Sequence, residues 1–244
     1  MNSRTRERLL AVAMALVCHG LFVLAVGSMA LSLWNGLHLW REPASLATTL
    51  VVDFLLVAQF PLLHSWMLSQ GGRRALRALV PWCGGRFATT TYACMASLQL
   101  LVAFWLWIPS GVVWYRPDGS MLAAHVALFA CAWIFLVKAL YDAGLPLQTG
   151  AAGWLAVWFG REVRYGGMPT TGLFAVCRQP IYLGFAMVLW TAPCWSLDWL
   201  LLTAAWTGYC AVGPRFKERR WLALYGERFS AYRRAVPYML PRFR

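Results

Sequence analysis

The feature that most constrains the fold is the uncharged stretch from Leu9 to Trp40, which contains no Asp, Glu, Lys or Arg. A stretch of this length can cross a bilayer, because a crossing helix needs ~20 mostly apolar residues. Further apolar runs extend over 46–69, 88–108 and 121–141. Together these four runs predict four membrane-spanning helices, and a chain that is 60% hydrophobic and 13% charged is typical of that class.

The last apolar run, 181–213, is interrupted between 193 and 198, so each half is short for a full span. It predicts a helical hairpin, followed over Phe216 to Arg234 by an amphipathic surface helix. The predicted fold class is all-α: a polytopic membrane protein with four spans, a C-terminal hairpin and a cytoplasmic amphipathic helix. We expect a single membrane domain, 1–244, with the four spans in 1–145 and the hairpin and last helix in 146–244.

The net charge of +13 is distributed unevenly between the predicted loops. If the N-terminus lies inside, only Arg41 and Arg116 fall in outer loops, as the positive-inside rule predicts. Both termini are therefore expected in the cytoplasm, and two shorter stretches, 73–80 and 154–164, predict helices on the membrane surface. Anionic lipid headgroups are the expected partners of these charges, and nucleic acid is not, because no recognition motif accompanies them. The seven cysteines show no metal-ligand spacing, so no metal site is predicted.

Polar residues inside the predicted spans allow two interpretations. Asp53 and His64 are three helical turns apart and share a face, about 16 Å from each other. They could form a proton relay or a substrate-positioning stripe, or they could be two separate helix-packing hydrogen bonds. His64 is kept as a candidate substrate residue. Lys138 and Asp142, four apart, are expected to form a local ion pair.

Arg178 and Glu218 are the strongest polar candidates. Arg178 lies where the hairpin begins and Glu218 just after it ends, so the hairpin brings both to one membrane face. An opposed pair of charges suits a zwitterionic ligand, but it could equally be a simple ion pair at the cytoplasmic surface. Aromatic walls for a purine or a sulfonium could come from Tyr182, Trp190, Tyr209 and Tyr225.

The run 170–241 resembles the isoprenylcysteine carboxyl methyltransferase family and its bacterial relatives. Their motif T-x-G-x-Y-x-x-x-R-H-P-x-Y-x-G is matched by Thr170, Gly172, Arg178, Pro180, Tyr182 and Gly184. Their second motif, with paired glutamates and a closing V-P-x-x-x-P, is matched by Glu218, Tyr225-Gly226, Tyr232, Val236-Pro237 and Pro241. The N-terminal half, with Leu62-Leu63-His64-Ser65 and Thr91-Tyr92, resembles the methanethiol S-methyltransferase and NnrU-like branch.

This resemblance implies an integral membrane methyltransferase that binds S-adenosylmethionine at the cytoplasmic face of the bacterial inner membrane. A thiol or carboxylate of a small or lipophilic acceptor would displace the sulfonium methyl group. Candidate catalytic residues are Arg178, Glu218 and Arg215. Candidate cofactor-binding residues are Gly172, Arg178, Gln179, Pro180, Tyr182, Gly184, Tyr209, Glu218 and Tyr225. Candidate acceptor residues are His64, Trp190 and Arg219, and Arg215 could also steer an acidic acceptor.

The chain departs from the family pattern at four positions. Gln179 stands where the family usually has His, and unlike His it does not titrate near neutrality. Lys217 replaces the first of the paired glutamates, and Phe174 and Phe229 replace tyrosines. These departures leave two other functions open: a non-catalytic membrane accessory or transport protein that kept the fold, and a membrane reductase on a similar scaffold.

Overall fold

The computed structural model describes residues 2–81 and 85–240. Its helices are α1 (Ser3–Trp34), α2 (Leu46–Met67), α3 (Gln70–Leu79), α4 (Ala88–Trp105), α5 (Gly119–Asp142), α6 (Leu145–Gln148), α7 (Ala151–Phe159), α8 (Leu173–Val176), α9 (Pro180–Trp190), α10 (Leu197–Tyr225) and α11 (Glu227–Ala235). Two short strands, β1 (Val113–Tyr115) and β2 (Trp195–Ser196), pair antiparallel. Pro241 of the second motif and Cys83, one of the seven cysteines, lie outside the described residues.

All four predicted spans are helical, and the chain is an all-α polytopic membrane protein. Three described helices, α1, α2 and α5, are long and apolar enough to cross a bilayer. The fourth, α4, has 18 residues and carries Gln99 and three consecutive threonines from Thr89, which make it less apolar. The number of spans therefore stays a prediction.

The chain packs into two compact units that interleave along the sequence. The first comprises 1–32, 37–111 and 144–165. In it Ala11 of α1 packs against Phe87 and Val157, and Cys18 packs against Ala93 and Cys94. The segment after α5, which the sequence grouped with the C-terminal half, thus joins the N-terminal helices through α7.

The second unit comprises 33–36, 112–143 and 166–244. Helix α9 packs along α5 and against α10, so the predicted hairpin is formed by α9 and α10. The hairpin turn is held by β2 against β1, in the register Val113 to Ser196 and Tyr115 to Trp195. Ser196 also caps α10, since its hydroxyl accepts from the Trp199 amide at 2.9 Å.

The predicted separate surface helix beginning at Phe216 is wrong. Helix α10 runs without interruption from Leu197 to Tyr225, through Pro214. Proline removes one backbone donor and crowds the preceding turn, but here the helix continues through it. The break comes at Gly226, which has φ +51° and separates α10 from α11. The polar residues of 214–225 therefore extend the second arm of the hairpin.

The two shorter surface helices are present with slightly different bounds. The stretch 73–80 lies in α3, which begins at Gln70 after the cap residue Ser69 and leaves Arg73, Arg74 and Arg77 exposed. The stretch 154–164 is helical only to Phe159, because α7 ends at Gly160 in the left-handed conformation. Arg161 and Arg164 consequently follow that helix instead of lying on it.

Candidate functional site

The site begins with a turn that the sequence dictates at Gly172. Gly172 has φ +59°, a conformation that favours glycine, and a side chain there would collide with the carboxylate of Asp142. Asp142 accepts a hydrogen bond from the Leu173 amide at 2.8 Å and pairs with Lys138, as predicted for that i,i+4 pair. The end of α5 thus fixes the start of α8, and α8 leads directly into Arg178.

Arg178 is buried and its guanidinium is committed to other groups of the protein. Its Nε donates to Glu218 Oε1 at 2.9 Å, and its Nη2 lies 3.5 Å from Glu218 Oε2. Its Nη1 donates to the carbonyl oxygens of Arg233 at 2.9 Å and Val236 at 2.5 Å. Arg178 therefore joins the start of the hairpin, the end of α10 and the end of α11.

The C-terminal segment packs over the junction of Arg178, Gln179 and Glu218, which we call the corner. Further contacts hold it there. The Arg178 amide donates to the Pro237 carbonyl at 2.9 Å, and the Tyr232 hydroxyl donates to the Phe174 carbonyl at 2.6 Å. The Tyr238 ring lies 5.6 Å from the Arg178 guanidinium carbon, and its hydroxyl donates to the Ala211 carbonyl at 2.8 Å. Burial raises the pKa of Tyr232, which keeps its hydroxyl a donor. These contacts close the corner from the side of α11.

Gln179 contributes to this network a buried oxygen atom that accepts no hydrogen bond from the described residues. It is 1% exposed, and its amide nitrogen donates to Glu218 Oε1 at 2.8 Å. Its carbonyl oxygen, Oε1, is buried and has no hydrogen-bond partner among the described residues. A buried acceptor without a partner costs free energy. An ammonium or hydroxyl group of a bound molecule would satisfy it.

The apolar wall of the corner comes from α9 and α10. Tyr182 and Tyr209 meet edge to face, with ring centroids 6.4 Å apart. The ammonium nitrogen of Lys217 lies 5.4 Å from the Tyr182 ring and 4.7 Å from the Trp221 ring. Trp221 in turn packs edge-on against Tyr225, at 6.3 Å. The Tyr182 and Tyr209 rings form an aromatic surface of the kind that packs against a purine or a sulfonium.

Three predicted residues lie in different surroundings. Trp190 is at the far end of α9, about 12 Å along the helix from Tyr182, and donates to the Thr207 hydroxyl at 2.9 Å. Arg219 is exposed and lies over Phe216. Arg215 lies beside Tyr238. Burial raises the pKa of Tyr238, and the positive charge of Arg215 offsets part of that rise. Of these, only Arg215 contacts the residues that close the corner.

Gly184 has a packing role. A Cβ there would lie 3.0 Å from the Leu136 Cα of α5. Glycine therefore permits the close approach of α9 to α5. Pro180 occupies the first turn of α9, where the missing amide hydrogen costs nothing. Both residues position the hairpin; their contact with a cofactor stays a prediction.

His64 and Asp53 belong to the first unit, and each bonds to a separate partner. The Tyr92 hydroxyl and His64 Nε2 are 2.7 Å apart, and the His64 ring stacks on Phe60. Asp53 accepts from the Ile108 amide at 3.0 Å. These contacts match the helix-packing interpretation of the two residues. A role of His64 in acceptor binding stays a prediction.

Sequence reasoning missed several parts of the corner. The carbonyl oxygens of Arg233 and Val236 carry no side-chain signal, so no motif could have shown them. Lys217 was visible only as a departure from the family pattern, and Trp221 as one apolar position of an amphipathic helix. Their proximity to Tyr182 follows from the uninterrupted α10.

Comparison with known proteins places this geometry in a family. The chain is 32% identical over 203 residues to methanethiol S-methyltransferase of Mycobacterium tuberculosis, which covers 81% of this chain and 80% of that protein. It is 27% identical over 201 residues to methanethiol S-methyltransferase 2 of Bradyrhizobium diazoefficiens, covering 82% of this chain and 76% of that protein. Nurim of Xenopus laevis is 26% identical over 126 residues, 49% of this chain and 44% of its own length.

The chain belongs to the methanethiol S-methyltransferase family. This confirms the resemblance inferred from the motifs, and with it an integral membrane methyltransferase. Family membership favours the methyltransferase over the two other functions that the sequence left open, a non-catalytic scaffold and a reductase. No family model matched the chain, and no solved structure matched it.

Proposed function

We propose that the corner formed by 172–184 and 209–238 binds S-adenosylmethionine and that the protein transfers the methyl group to a small thiol. The observation that carries the proposal is the buried, unpartnered Oε1 of Gln179 beside the Glu218 carboxylate. Together they offer two acceptors to a ligand that bears an ammonium group and hydroxyls. Similarity to proteins named methanethiol S-methyltransferase supports the thiol as acceptor.

The residues of the corner have distinct roles in this proposal. Glu218 and Gln179 would hold the amino acid or ribose end of the cofactor, and Tyr182 and Tyr209 would provide the aromatic wall. Arg178 acts as a positioning residue, because its donors are already used by Glu218 and two carbonyls. Arg215, exposed beside Tyr238, remains a candidate for steering the acceptor.

When bound, S-adenosylmethionine supplies a methyl group already activated on a sulfonium, so the protein has little covalent chemistry to perform. What the chain contributes is alignment of the two reactants and exclusion of water. The contacts of 232–238 across the corner serve that exclusion. We place this corner on the cytoplasmic side of a bacterial inner membrane, with both termini cytoplasmic, because the loop arginines concentrate on that side.

The test is calorimetric binding of S-adenosylmethionine and S-adenosylhomocysteine to the detergent-purified protein. Wild type is expected to bind both with micromolar affinity, and Glu218→Ala to lose binding. Glu218→Gln is the matched control: it keeps an acceptor oxygen for Gln179 and Arg178 but removes the charge, so it should fold and bind weakly. Release of S-adenosylhomocysteine that depends on added methanethiol then tests the acceptor. A folded wild-type protein that binds neither compound would exclude the proposal.

A further inference from the structure

The ammonium group of Lys217 lies among aromatic rings at the edge of the corner. Lys217 lies directly before Glu218 on α10, and successive helical side chains do not face each other. Glu218 forms its ion pair with Arg178 and accepts a hydrogen bond from Gln179 at the same oxygen, Oε1. Among residues 2–81 and 85–240, no carboxylate forms an ion pair or hydrogen bond with Lys217. Its ammonium nitrogen is held instead between two ring faces, Tyr182 at 5.4 Å and Trp221 at 4.7 Å.

Burial favours the neutral amine of Lys217, whereas Glu218 and the two ring faces favour its ammonium form. Burial, and then the like charge of Arg220, lower its pKa to about 8, against the opposing effects of Glu218 and Cys177. Tyr182 faces it from α9 and stays protonated. Cys177 comes from the link between α8 and α9, and burial raises the pKa of its thiol, so Cys177 is no competing base or nucleophile. Lys217 is therefore a half-buried amine, fixed in place, that can accept a proton near neutral pH.

We propose that the neutral amine of Lys217 is the general base that takes the proton from the acceptor thiol. This inference rests on the proposed function. A thiol reacts as its thiolate, so methylation of an alkanethiol near neutrality needs a group to remove that proton. The family pattern has a glutamate here, and the lysine of this chain supplies a base of higher pKa, better matched to a thiol.

The step balances as follows. The S–H bond of the acceptor breaks, its proton goes to the lone pair of Lys217 Nζ, and its electron pair stays on sulfur. That pair forms the new S–CH₃ bond, while the methyl–sulfur bond of the sulfonium donor breaks and returns its electrons to the donor sulfur. Lys217 then releases its proton to water.

The experiment compares wild type with Lys217→Met and Lys217→Arg, using methanethiol and an arenethiol that is already ionised at neutral pH. With methanethiol we expect both variants to lose about 100-fold or more of kcat/KM, since a general base contributes about that factor. With the arenethiol, which needs no base, the loss should disappear. Lys217→Arg keeps the positive charge but cannot give up its proton. It therefore distinguishes a role of Lys217 as a base from a role of its charge. Recovery of methanethiol activity in Lys217→Arg, or an equal loss with both thiols, would overturn the proposal.

Two readouts complete the test. The wild-type pH profile with methanethiol should level off above about pH 8, whereas the Lys217→Met profile should follow the thiol's own ionisation with no break there. Independently of activity, the pH dependence of acetic anhydride labelling reports the protonation of both lysines of the chain, Lys138 and Lys217. Lys217 should become reactive near pH 8, and reactivity that begins only at pH ~10.4, as for an ordinary lysine, counts against the base.

Binding and control measurements keep the two proposals distinguishable. Lys138→Met is the matched control and should keep wild-type rates with both thiols. Cofactor affinity of Lys217→Met should stay within about threefold of wild type, because the base acts on the acceptor. Wild type that binds the cofactor and methylates methanethiol, but is unaffected by Lys217→Met, refutes the base alone. Wild type without cofactor binding refutes the proposed function.

Discussion

The corner at Arg178 and the α2–α4 contact at His64 both bury polar groups in an apolar protein, but they do so differently. His64 and Tyr92 join neighbouring helices by one hydrogen bond. At the corner, a carboxylate is shared by Arg178 and Gln179, and the arginine reaches two further carbonyls. Unpartnered buried atoms occur in both places, His64 Nδ1 and Gln179 Oε1. The concentration of opposite charges, more than burial itself, therefore distinguishes the corner from the α2–α4 contact.

The largest expected effect is at the corner. Arg178→Met leaves the Glu218 carboxylate buried without its partner, which typically costs about 3–5 kcal/mol. For a chain of this size the melting temperature should fall by about 10 °C or more. Tryptophan fluorescence during heating in detergent measures it. Arg178→Lys keeps the positive charge but loses the branched guanidinium, so its melting temperature should lie between those of wild type and Arg178→Met. An Arg178→Met protein that melts at the wild-type temperature would show that the charged corner is no more important for stability than the α2–α4 contact.

A second, smaller effect is expected where the hairpin packs on α5. Gly184→Val places side-chain atoms against Leu136, and overpacking of this kind costs about 1–3 kcal/mol. Gly208→Ala is the matched control in the other arm of the hairpin, because nothing lies within 4 Å of a Cβ built there. It should be neutral or slightly stabilising, as alanine favours helix. Equal melting temperatures for the two variants would show that the close α5–α9 approach is not limiting.

The α2–α4 side of the comparison is tested by Tyr92→Phe. The variant removes the partner of His64 Nε2 and should cost about 1 kcal/mol, with a small fall in melting temperature. Cofactor affinity measured by calorimetry should not change, since Tyr92 serves helix packing in this interpretation. Loss of cofactor binding in a folded Tyr92→Phe protein would instead assign this polar pair to function.

The smallest effect is expected from Lys138→Met. The side chain of Lys138 is half exposed, and such pairs contribute below about 0.5 kcal/mol. Asp142 keeps its bond from the Leu173 amide, so the turn at Gly172 should persist. A fall in melting temperature as large as that of Gly184→Val would show that the ion pair itself, beyond the Asp142 contact, maintains this turn.

Much of the fold could be predicted from the sequence, because a long apolar run in a bilayer can form few structures other than a helix. The helices at 46–67, 88–105 and 119–142 follow from long apolar runs that carry at most two charged residues each. A hairpin that returns Glu218 to Arg178 follows from the broken run 181–213. The family motifs led to the same corner. These inferences needed only spacing and hydropathy.

The remaining features depend on contacts that spacing does not encode. The amphipathic pattern from Phe216 to Arg234 predicted a separate helix, yet α10 continues without a break through Pro214 to Tyr225. Trp190 has an aromatic side chain of the kind expected in the site. It lies near the hairpin turn, because the rise of α9 separates it from Tyr182. The carbonyl contacts of Arg178 depend on the path of 226–240, which side-chain identity does not determine.

The continuity of α10 couples the corner to the bilayer itself. About 30 Å of unbroken helix separates Asp198 at the hairpin turn from Glu218. An α-helix transmits axial displacement over such a length, so Glu218 and Lys217 would move with the apolar arm of the hairpin. Hydrophobic mismatch, which membranes relieve by tilting or shifting helices, would therefore act directly on the position of the carboxylate and the amine. Acyl-chain length becomes a physical variable of this corner, alongside pH and substrate.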